Sequence, residues 1–514
     1  MGNIGSNVTR CQILISSKGK EENRMDQKTY TRRDYLKTLG LSMGSLMLWG
    51  CNPLYEGRET KNLPNIVVFL TDDQGTLDVN CYGSKDLFTP NMDALASSGV
   101  RFTQAYAHAV CCPARALLLT GRHPQRGGVK TWVQGNAKGK KGINMYLEEI
   151  TLAEVLKNAG YSTALFGKWH LGADFNHGPT KQGFDEFLGL RGGFIDNYNH
   201  YFLHGKGFHD LYRGTQEIFK NGEYFPGLVV KEAKRFLDEN RSKPFFLLVA
   251  LNLPHYPEQT FTKFDDMYAK LPEPRRSYAK AISSADDCIG QVLKKLDELG
   301  LRDNTIIIFS SDNGHSSESY SISVENHNSG LPKGHNYGAN GGGGNTGKWR
   351  GAKGSFFEGG IRVPAVISYP SKIPANVVRD QAITLADFYP TILDLCGLSL
   401  PDCKLDGQSL IPVIKSTQTP AHHEVMHWQW GESWAVREGD WKLIYNGRDT
   451  TDEWQGHPQP RREIPKVFLG NLADAQPELN NYANEKPEIV QRLMKLHEAW
   501  AKEVEPPKIG KPNR

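Results

Sequence analysis

Five short strand-like runs, spaced widely along the chain, most constrain the fold that this sequence can adopt. They cover residues 65–70, 162–166, 244–251, 305–310 and 362–368. The apolar runs at 65–70 and 305–310 are typical of strands buried on both faces of a sheet. Helix-like segments separate the runs, most clearly at 151–158, 229–240, 278–298 and 385–395. Because strands and helices alternate, the sequence predicts an α/β fold with a large, mostly parallel mixed sheet flanked by helices.

The kind of secondary structure that the sequence predicts changes after about residue 415. Short strand-like runs at 433–437 and 441–445 are followed by a helix-like segment at 486–503. We therefore expect a smaller C-terminal subdomain with an antiparallel sheet and a closing helix. The predicted divisions are a leader and linker, a main α/β domain and an α+β subdomain, at residues 1–61, 62–415 and 416–514.

Polar side chains follow two of the predicted strands at the point where each strand ends. Asp72 and Asp73 come after the first run, and Asp312 and Asn313 come after the fourth. In open parallel sheets, functional groups gather outside the carboxyl ends of the strands, so these four side chains are expected to lie together. Oxygen ligands of this kind suit Ca²⁺ or Mg²⁺. Alternatively, each acidic pair caps a strand or opens a turn.

A cysteine motif opens another helix-like segment. Cys111 is followed by Cys112, Pro113 and Arg115, and the segment ends in Leu119-Thr120-Gly121-Arg122. Pro113 suits the first turn of a helix, where its missing N–H is not needed. A cysteine pair packed at the start of a buried helix is the structural alternative, because unmodified cysteines usually behave as small hydrophobic side chains. The pattern Cys-x-Pro-x-Arg with a following Leu-Thr-Gly-Arg closely resembles the signature of the type I sulfatases, in the alkaline-phosphatase-like superfamily.

The resemblance implies a catalytic residue outside the twenty encoded amino acids. In the type I sulfatases the cysteine two positions before the proline, here Cys111, is oxidised to formylglycine (3-oxoalanine). One hydroxyl of the hydrated aldehyde attacks sulfur and the other later expels sulfate, so a hard displacement is split into two easier steps. Arg115, one turn further on, is expected to hold these hydroxyls. The modification implies a partner, either a formylglycine-generating enzyme or an anaerobic sulfatase-maturing enzyme.

The same resemblance assigns a metal site to the polar strand ends. It implies one Ca²⁺ ion held by a set of five ligands, namely Asp72, Asp73, Cys111, Asp312 and Asn313. The ion would act as a Lewis acid and as a template for the substrate. The choice between Ca²⁺ and Mg²⁺ stays open at this point.

Four basic residues complete the catalytic set that the resemblance implies. Lys168 and Lys353 are assigned to the sulfate oxygens, His170 to a formylglycine hydroxyl, and His255 to sulfate and the leaving alcohol as general acid. Lys168 and His170 lie two positions apart on a segment expected to be extended, so their side chains should point the same way. Fixed positive groups aimed at the sulfuryl oxygens stabilise the transition state, and histidine suits proton transfer near neutral pH.

Two long irregular segments, 192–201 and 315–349, are the candidate substrate loops. Loops of this length are usually functional or disordered. The first mixes aromatic and amide side chains, which suits stacking on sugar rings, although it also fits a packed surface loop. In the second, His315 directly follows the predicted metal ligands and is our candidate substrate contact.

The predicted activity is therefore hydrolysis of sulfate esters on a carbohydrate. The substrates that are usual for the family, together with the export signal described below, favour a sulfated polysaccharide. Examples are the algal polysaccharides ulvan and carrageenan, or a glycosaminoglycan. Two alternatives stay open: a phosphate or phosphonate ester hydrolase of the same superfamily, and a glycan-binding homologue without catalysis.

The N-terminal region resembles an export signal. Arg32-Arg33 precede an apolar stretch that ends near Trp49, which resembles a twin-arginine signal over residues 25–50. The apolar part is too short for a stable transmembrane helix. Gly50-Cys51 resembles a lipoprotein cleavage box, so Cys51 is a candidate for lipidation, and Met25 is an alternative start to Met1. These features predict a periplasmic or outer-membrane-anchored protein at the cell surface.

The composition gives no indication of a nucleic-acid partner, and we expect none. The net charge of +4, from 61 basic and 57 acidic residues, is mild, and basic side chains do not form a stripe interleaved with aromatic ones. The eight cysteines are spread too thinly for a disulfide scaffold. Cys396 and Cys403 are close enough in sequence to form a bridge. The other three cysteines outside the leader and the motif position are expected to be buried thiols: Cys81, Cys112 and Cys288.

Overall fold

The computed structural model describes residues 63–132, 142–335, 342–451 and 463–505. The strands are β1 (Asn65–Asp72), β2 (Val100–Tyr106), β3 (Ser162–Lys168), β4 (Glu186–Leu190), β5 (Tyr201–Phe202), β6 (Phe208–His209), β7 (Tyr212–Arg213), β8 (Gln216–Glu217), β9 (Phe245–Pro254), β10 (Thr305–Ser311), β11 (Arg362–Ser368), β12 (Val377–Arg379), β13 (Ile383–Thr384), β14 (Val425–Trp430), β15 (Ser433–Glu438), β16 (Trp441–Tyr445) and β17 (Val467–Asn471). The α-helices are α1 (Pro90–Ser97), α2 (Cys111–Thr120), α3 (Leu152–Asn158), α4 (Phe225–Asn240), α5 (Arg275–Glu298), α6 (Glu358–Ile361), α7 (Phe388–Cys396), α8 (Ile411–Lys415) and α9 (Pro487–Val504).

The apolar strand β1 lies near the middle of an 11-stranded sheet. The strand order is β12-β2-β11-β10-β1-β9-β3-β4-β7-β8, and β13 also pairs with β2. The neighbours from β10 to β4 are parallel, whereas β11 runs antiparallel to both β10 and β2. This mixed sheet confirms the predicted fold class.

Alternate residues of β1 face two separate cores. Ile66, Val68 and Leu70 pack in one hydrophobic cluster with residues of α2, α3 and α7. Val67 and Phe69 pack in the other cluster, with residues of α1, α4 and α5. The sheet is therefore covered by helices on both faces, as expected for strands that are apolar along their whole length.

The C-terminal region forms a separate four-stranded antiparallel sheet, β14-β15-β16-β17. Val436, Leu443 and Leu469 on one face of this sheet pack against Leu493 of α9. Ala435 and Ile444 on the other face belong to a cluster that also contains residues of the main sheet region. This arrangement confirms the predicted small sheet and closing helix.

Two expectations about cysteines are corrected. Cys396 and Cys403 are both free thiols. Cys396 is buried at the end of α7, where its sulfur accepts a hydrogen bond from the Tyr161 hydroxyl at 3.3 Å, while Cys403 is partly exposed. Cys112 and Cys288 are buried as expected, but Cys81 is only partly buried.

The predicted export signal and Cys51 lie outside the described residues. Within the part of the chain that the structure describes, none of the helices is both long and apolar enough to cross a bilayer.

Candidate active site

The polar ends of β1 and β10 meet at one edge of the sheet. The two strands are parallel neighbours, paired up to Thr71 and Ser311. Asp73 leaves β1 with φ of 67°, and its backbone N–H donates to Asp312 Oδ1 at 3.2 Å. The Asn313 amide donates to Asp73 Oδ1 at 2.7 Å. The structure therefore brings the predicted oxygen ligands together, as the parallel pairing requires.

Cys111 is the first residue of α2, and its side chain points at the carboxylates of Asp72 and Asp73. Its sulfur lies 3.4 Å from Asp72 Oδ1 and 4.0 Å from Asp73 Oδ1. Burial raises the pKa of the Cys111 thiol well above its ordinary value, and the negative charge of Asp312 adds to the effect. Because the thiolate is the nucleophilic form, an unmodified Cys111 in these surroundings is a poor nucleophile.

Arg115 lies one turn further along α2 and joins two strand ends. Its guanidinium donates to Asp312 Oδ2 from Nε at 3.0 Å and from Nη2 at 2.7 Å. Nη1 donates to the Lys168 backbone carbonyl at 3.0 Å. The charged guanidinium group of Arg115 therefore holds the end of β10 against the end of β3.

Lys168 is the last residue of β3, and its Nζ lies 2.6 Å from Asp72 Oδ2. Burial alone would raise the pKa of Asp72, but Lys168, together with His255 and Arg115, lowers it well below its ordinary value. Lys168 and Asp72 therefore form a buried ion pair beside residue 111.

His170 corrects the expectation of an extended segment. The strand ends at Lys168, and His170 has φ of 56°, in the left-handed region. The alternation of side chains along a strand therefore cannot be used to predict that the His170 ring points the same way as Lys168. Burial, reinforced by the charges of Lys168 and Arg115, lowers the pKa of His170 well below its ordinary value, so this histidine is neutral at neutral pH.

Lys353 is buried, although a lysine in a glycine-rich loop is usually solvated. Its Nζ lies 2.9 Å from Asp73 Oδ2, 3.0 Å from His255 Nε2 and 2.9 Å from Glu318 Oε2. The Nδ1 atom of His255 lies 2.6 Å from the Tyr256 carbonyl, which assigns the ring proton to Nδ1. Burial and the Lys353 charge lower the pKa of His255 to about 4.

The C-terminal subdomain supports the loop that carries Lys353. Arg350 donates to the buried Asp449 at 2.7 Å. The Gly351 N–H donates to the Thr451 hydroxyl at 2.9 Å, and the Ala352 N–H donates to the Thr450 hydroxyl at 3.0 Å. Residues from both sides of the predicted boundary at 415 therefore position this lysine.

His315 supports the same loop through its backbone, since the Lys353 N–H donates to the His315 carbonyl at 2.8 Å. Its ring is buried and packs against Gly344, where a Cβ atom would lie 2.1 Å from the His315 Cβ. Burial and the Arg275 charge lower the pKa of His315 to about 3. Substrate contact by His315 stays a prediction.

Two residues of the site were missed by sequence reasoning. Glu318 contacts Lys353 and lies 3.5 Å from His255 Nε2. Phe194 stacks on the His255 ring, with the ring centroids 5.1 Å apart and the planes at 26°. Both residues lie in the candidate substrate loops, which was the only signal available for them.

The oxygen-rich strand ends fit a divalent cation. Burial raises the pKa of both Asp73 and Asp312 to about 6, and the negative charge of Asp72 adds to both shifts. Among the described residues, Asn313 Oδ1 is buried without a hydrogen-bond partner. Ligand atoms of Asp72, Asp73, Cys111 and His255 lie within 4.8 Å of one another. A cation here would relieve the carboxylate repulsion and use the free amide oxygen, and hard oxygen ligands suit Ca²⁺ or Mg²⁺.

Comparisons with known proteins agree with this geometry. The chain matches the sulfatase family over residues 64–398 and the C-terminal region of N-sulphoglucosamine sulphohydrolase over 349–457. It is 30% identical to rat (Rattus norvegicus) N-acetylgalactosamine-6-sulfatase over 485 residues, which cover 86% of each chain. It is 29% identical to human (Homo sapiens) steryl-sulfatase over 445 residues, which cover 71% of each chain.

Solved structures share the fold. The structure of Ps i-CgsB in complex with k-i-k-neocarrahexaose superposes with a TM-score of 0.70 at 27% identity, and the match covers 85% of this chain and 92% of that one. The family match spans more than half of the sequence and contains Asp72, Cys111, Lys168 and Asp312. The chain therefore belongs to the sulfatase family and is a sulfuric ester hydrolase.

Proposed function

We propose that this sulfatase hydrolyses sulfate monoesters of a carbohydrate, with formylglycine at position 111 and one bound Ca²⁺ ion. The observation that carries the proposal is the position of Cys111. Its sulfur lies 3.4 Å from Asp72, which is itself paired with Lys168 at 2.6 Å. The nucleophile position therefore lies between a candidate cation site and buried positive side chains.

Three cations of the chain surround the place where a sulfate group would bind. Lys168 and Lys353 bind the sulfuryl oxygens, and Arg115 holds residue 111 and the end of β10. Burial alone would lower the pKa of Lys353, but Asp73 and other nearby negative groups raise it well above its ordinary value, so Lys353 is charged. Preorganised cations of this kind stabilise the charge that develops on the sulfuryl oxygens in the transition state.

Two neutral histidines divide the proton transfers. His170 accepts a proton from the side of residue 111. His255 carries its proton on Nδ1 before substrate binds, because this atom lies 2.6 Å from the Tyr256 carbonyl. A bound sulfate ester brings negative charge close to Nε2, which favours the imidazolium form. His255 then donates the Nε2 proton to the leaving alcohol oxygen.

The formylglycine and the metal supply what encoded side chains lack: a hydroxyl nucleophile that regenerates by elimination, and a Lewis acid for a sulfate oxygen. Asp72, Asp73, Asp312 and Asn313 would hold the ion beside residue 111. A formylglycine-generating enzyme or an anaerobic sulfatase-maturing enzyme would be required as a partner.

Similarity favours a sulfated saccharide as substrate. One structural neighbour is described in complex with a carrahexaose, and a relative of 30% identity is an N-acetylgalactosamine-6-sulfatase. Another relative is a steryl-sulfatase, so a steroid sulfate belongs in any substrate panel.

The test is release of sulfate from a carrageenan, an ulvan, a glycosaminoglycan and a steroid sulfate by protein coexpressed with a formylglycine-generating enzyme. Release from one saccharide, together with loss of release in Cys111→Ala but not in Cys112→Ala, would support the proposal. Release of phosphate from matched esters at a higher rate than sulfate would favour the phosphohydrolase alternative. A converted protein that binds the saccharides without releasing sulfate would favour the non-catalytic one.

We also propose that the protein is exported through the twin-arginine signal at residues 25–50 and anchored by a lipid on Cys51. The Arg32-Arg33 pair and the Gly50-Cys51 dipeptide support this proposal. Membrane fractions labelled with a palmitate analogue should contain the wild type, and Cys51→Ala should move the protein to the soluble periplasmic fraction. A cytoplasmic wild-type protein would contradict it.

A further inference from the structure

We propose that Glu318 selects the substrate: its carboxylate accepts a hydrogen bond from a hydroxyl of the sulfated ring and excludes rings that carry an acidic group at the same place. The preferred substrates are then sulfate esters of neutral sugars, and sulfated uronates are rejected. This inference rests on the proposed function and names the substrate class within it.

Glu318 lies beside the two residues that are assigned to the sulfate and the leaving group. Its Oε2 is 2.9 Å from Lys353 Nζ and 3.5 Å from His255 Nε2. Lys353 is assigned to the sulfate and His255 to the leaving oxygen. A carboxylate this close to both must lie within a few ångströms of the sugar carbon that carries the scissile sulfate.

Glu318 is held in place by its own loop. The Glu318 N–H donates to the Ser316 hydroxyl at 3.1 Å. Two residues further on, the Tyr320 carbonyl accepts a hydrogen bond from the hydroxyl of Tyr256, the residue after His255. The His204 ring also packs edge-on against Tyr320, with the centroids 4.3 Å apart. The loop segment that carries Glu318 is therefore fixed to the segment that carries the general acid.

The side chain keeps capacity for a ligand. It is 30% exposed, whereas Lys353 is only 5% exposed. A carboxylate has two oxygens and about four acceptor positions, and the contacts with Lys353 and His255 use Oε2. The remaining acceptor positions match the hydroxyl donors that a neutral sugar ring supplies.

Exposed aromatic side chains near Glu318 provide the apolar surface that a sugar ring needs. Phe194 is buried behind this surface, where it stacks on His255, and its ring lies 4.9 Å from the exposed His204. Tyr320 is 41% exposed. A sugar ring that packs on this aromatic surface can direct its hydroxyls toward the Glu318 carboxylate.

Charge makes the same carboxylate a filter. The scissile sulfate is paired with Lys353, which screens it from Glu318, whereas an acidic substituent elsewhere on the bound ring would meet the Glu318 carboxylate directly. Two like charges within a few ångströms in a partly buried site repel strongly. A hydroxyl at that position donates to the carboxylate instead. Discrimination therefore comes from an attractive and a repulsive element on one side chain.

A purely structural role is the competing explanation, in which Glu318 only holds Lys353. The two explanations differ in what removal of the negative charge does to substrate preference. Loss of a support for Lys353 would slow all substrates alike, whereas loss of the filter would change the ratio between neutral and acidic substrates. Glu325 is a suitable control, because it lies in the same loop, is 75% exposed and pairs only loosely with Lys333 at 3.6 Å.

The experiment measures kcat and KM of converted wild type, Glu318→Gln and Glu325→Gln. The substrates are a sulfated neutral hexoside and the matching sulfated hexuronide, with sulfate at the same ring position. The wild type and the control are expected to prefer the neutral substrate by at least about tenfold in kcat/KM, in line with one strong like-charge contact. Glu318→Gln is expected to raise KM for the neutral substrate and reduce the preference to about twofold or less.

Glu318→Asp keeps the negative charge on a shorter side chain, and it replaces Glu318→Gln in the experiment if that variant does not fold. It should still reject the uronide, with a higher KM for the neutral substrate. A wild type that prefers the uronide, or an unchanged ratio in Glu318→Gln, would overturn the inference while leaving the sulfatase proposal intact. Absence of sulfate release from either substrate and from the wider glycan panel by converted wild type would overturn both.

Discussion

Lys168 Nζ lies 2.6 Å from Asp72 Oδ2, and both side chains are fully buried. Replacing this lysine removes a cation from the sulfate position and leaves Asp72 without its nearest partner. Lys168→Ala should therefore lower kcat by about 100- to 1000-fold, the usual cost of losing one preorganised transition-state contact.

The control for this prediction is Lys157→Ala, which removes a lysine paired with Asp185 on the surface, where both side chains are at least 40% exposed. This variant should retain the wild-type kcat, because exposed ion pairs contribute little. Comparable kcat values in Lys168→Ala and the wild type would remove Lys168 from the catalytic set.

Binding of Ca²⁺ should stabilise the folded protein. The strand-end carboxylates repel one another in the ion-free protein, and at 100 times the dissociation constant a ligand stabilises by about 2.7 kcal/mol. We expect Ca²⁺ to raise the Tm of the wild type and chelation to reverse the shift. Asn313→Ala, which removes the buried free amide oxygen, should weaken the response. An equal response in Asn313→Ala and the wild type would place the ion elsewhere.

The buried pair of Arg350 and Asp449 should matter for both stability and activity. Their side chains are 3% and 0% exposed, and the pair anchors the loop before Lys353. Asp449→Ala leaves the Arg350 charge buried without this partner, which typically costs about 3–5 kcal/mol. We expect a lower urea midpoint and a higher KM, because Lys353 loses its support. Arg492→Ala, which breaks an exposed pair with Glu438, should change stability by less than about 1 kcal/mol.

The pair of His423 and Asp387 should make stability depend on pH. Burial alone would lower the pKa of His423, but Asp387 raises it above its ordinary value. A histidine whose pKa is higher in the folded state than in the unfolded state stabilises the fold fully at pH values below its unfolded-state pKa. This stabilisation is lost as the pH rises through the folded-state pKa. The pKa of Asp387 is lowered to about 2 despite its burial. This carboxylate therefore stabilises the fold at pH values above its unfolded-state pKa, and the stabilisation is lost as the pH falls toward 2.

His423→Gln should therefore destabilise the protein more at about pH 6 than at about pH 9. The expected loss at the lower pH is about 1.5–3 kcal/mol, the range for hydrogen bonds to charged groups. The measurement is urea denaturation of the wild type and the variant at both pH values. An equal loss at both would show that the charge of His423 does not contribute.

The large sheet could be predicted from the sequence because strands that are buried on both faces are apolar throughout. The grouping of Asp72 with Asp312 followed from the parallel pairing of β1 and β10, since the ends of such strands meet at one edge. Helix starts were less well predicted. The helix predicted from 229 begins at Phe225, because Pro226 is tolerated in a first turn where the periodicity is not yet visible.

Contacts made by loops could not be predicted. The contact between Glu318 and Lys353 depends on the path of an irregular segment, which has neither periodicity nor a motif. The left-handed conformation of His170 cannot be predicted from residue types, since only a few per cent of non-glycine residues adopt it. The separate burial of Cys396 and Cys403 depends on the packing of α7 and not on their spacing.

The state of residue 111 tests the proposed chemistry most directly. The measurement is the mass of the peptide containing Cys111, together with sulfate release, for protein produced with and without a formylglycine-generating enzyme. We predict that coexpression replaces the thiol by an aldehyde, and that sulfate release rises in proportion to the converted fraction and is lost in Cys111→Ala. Equal sulfate release by converted and unconverted protein, or by Cys111→Ala, would contradict the proposed nucleophile.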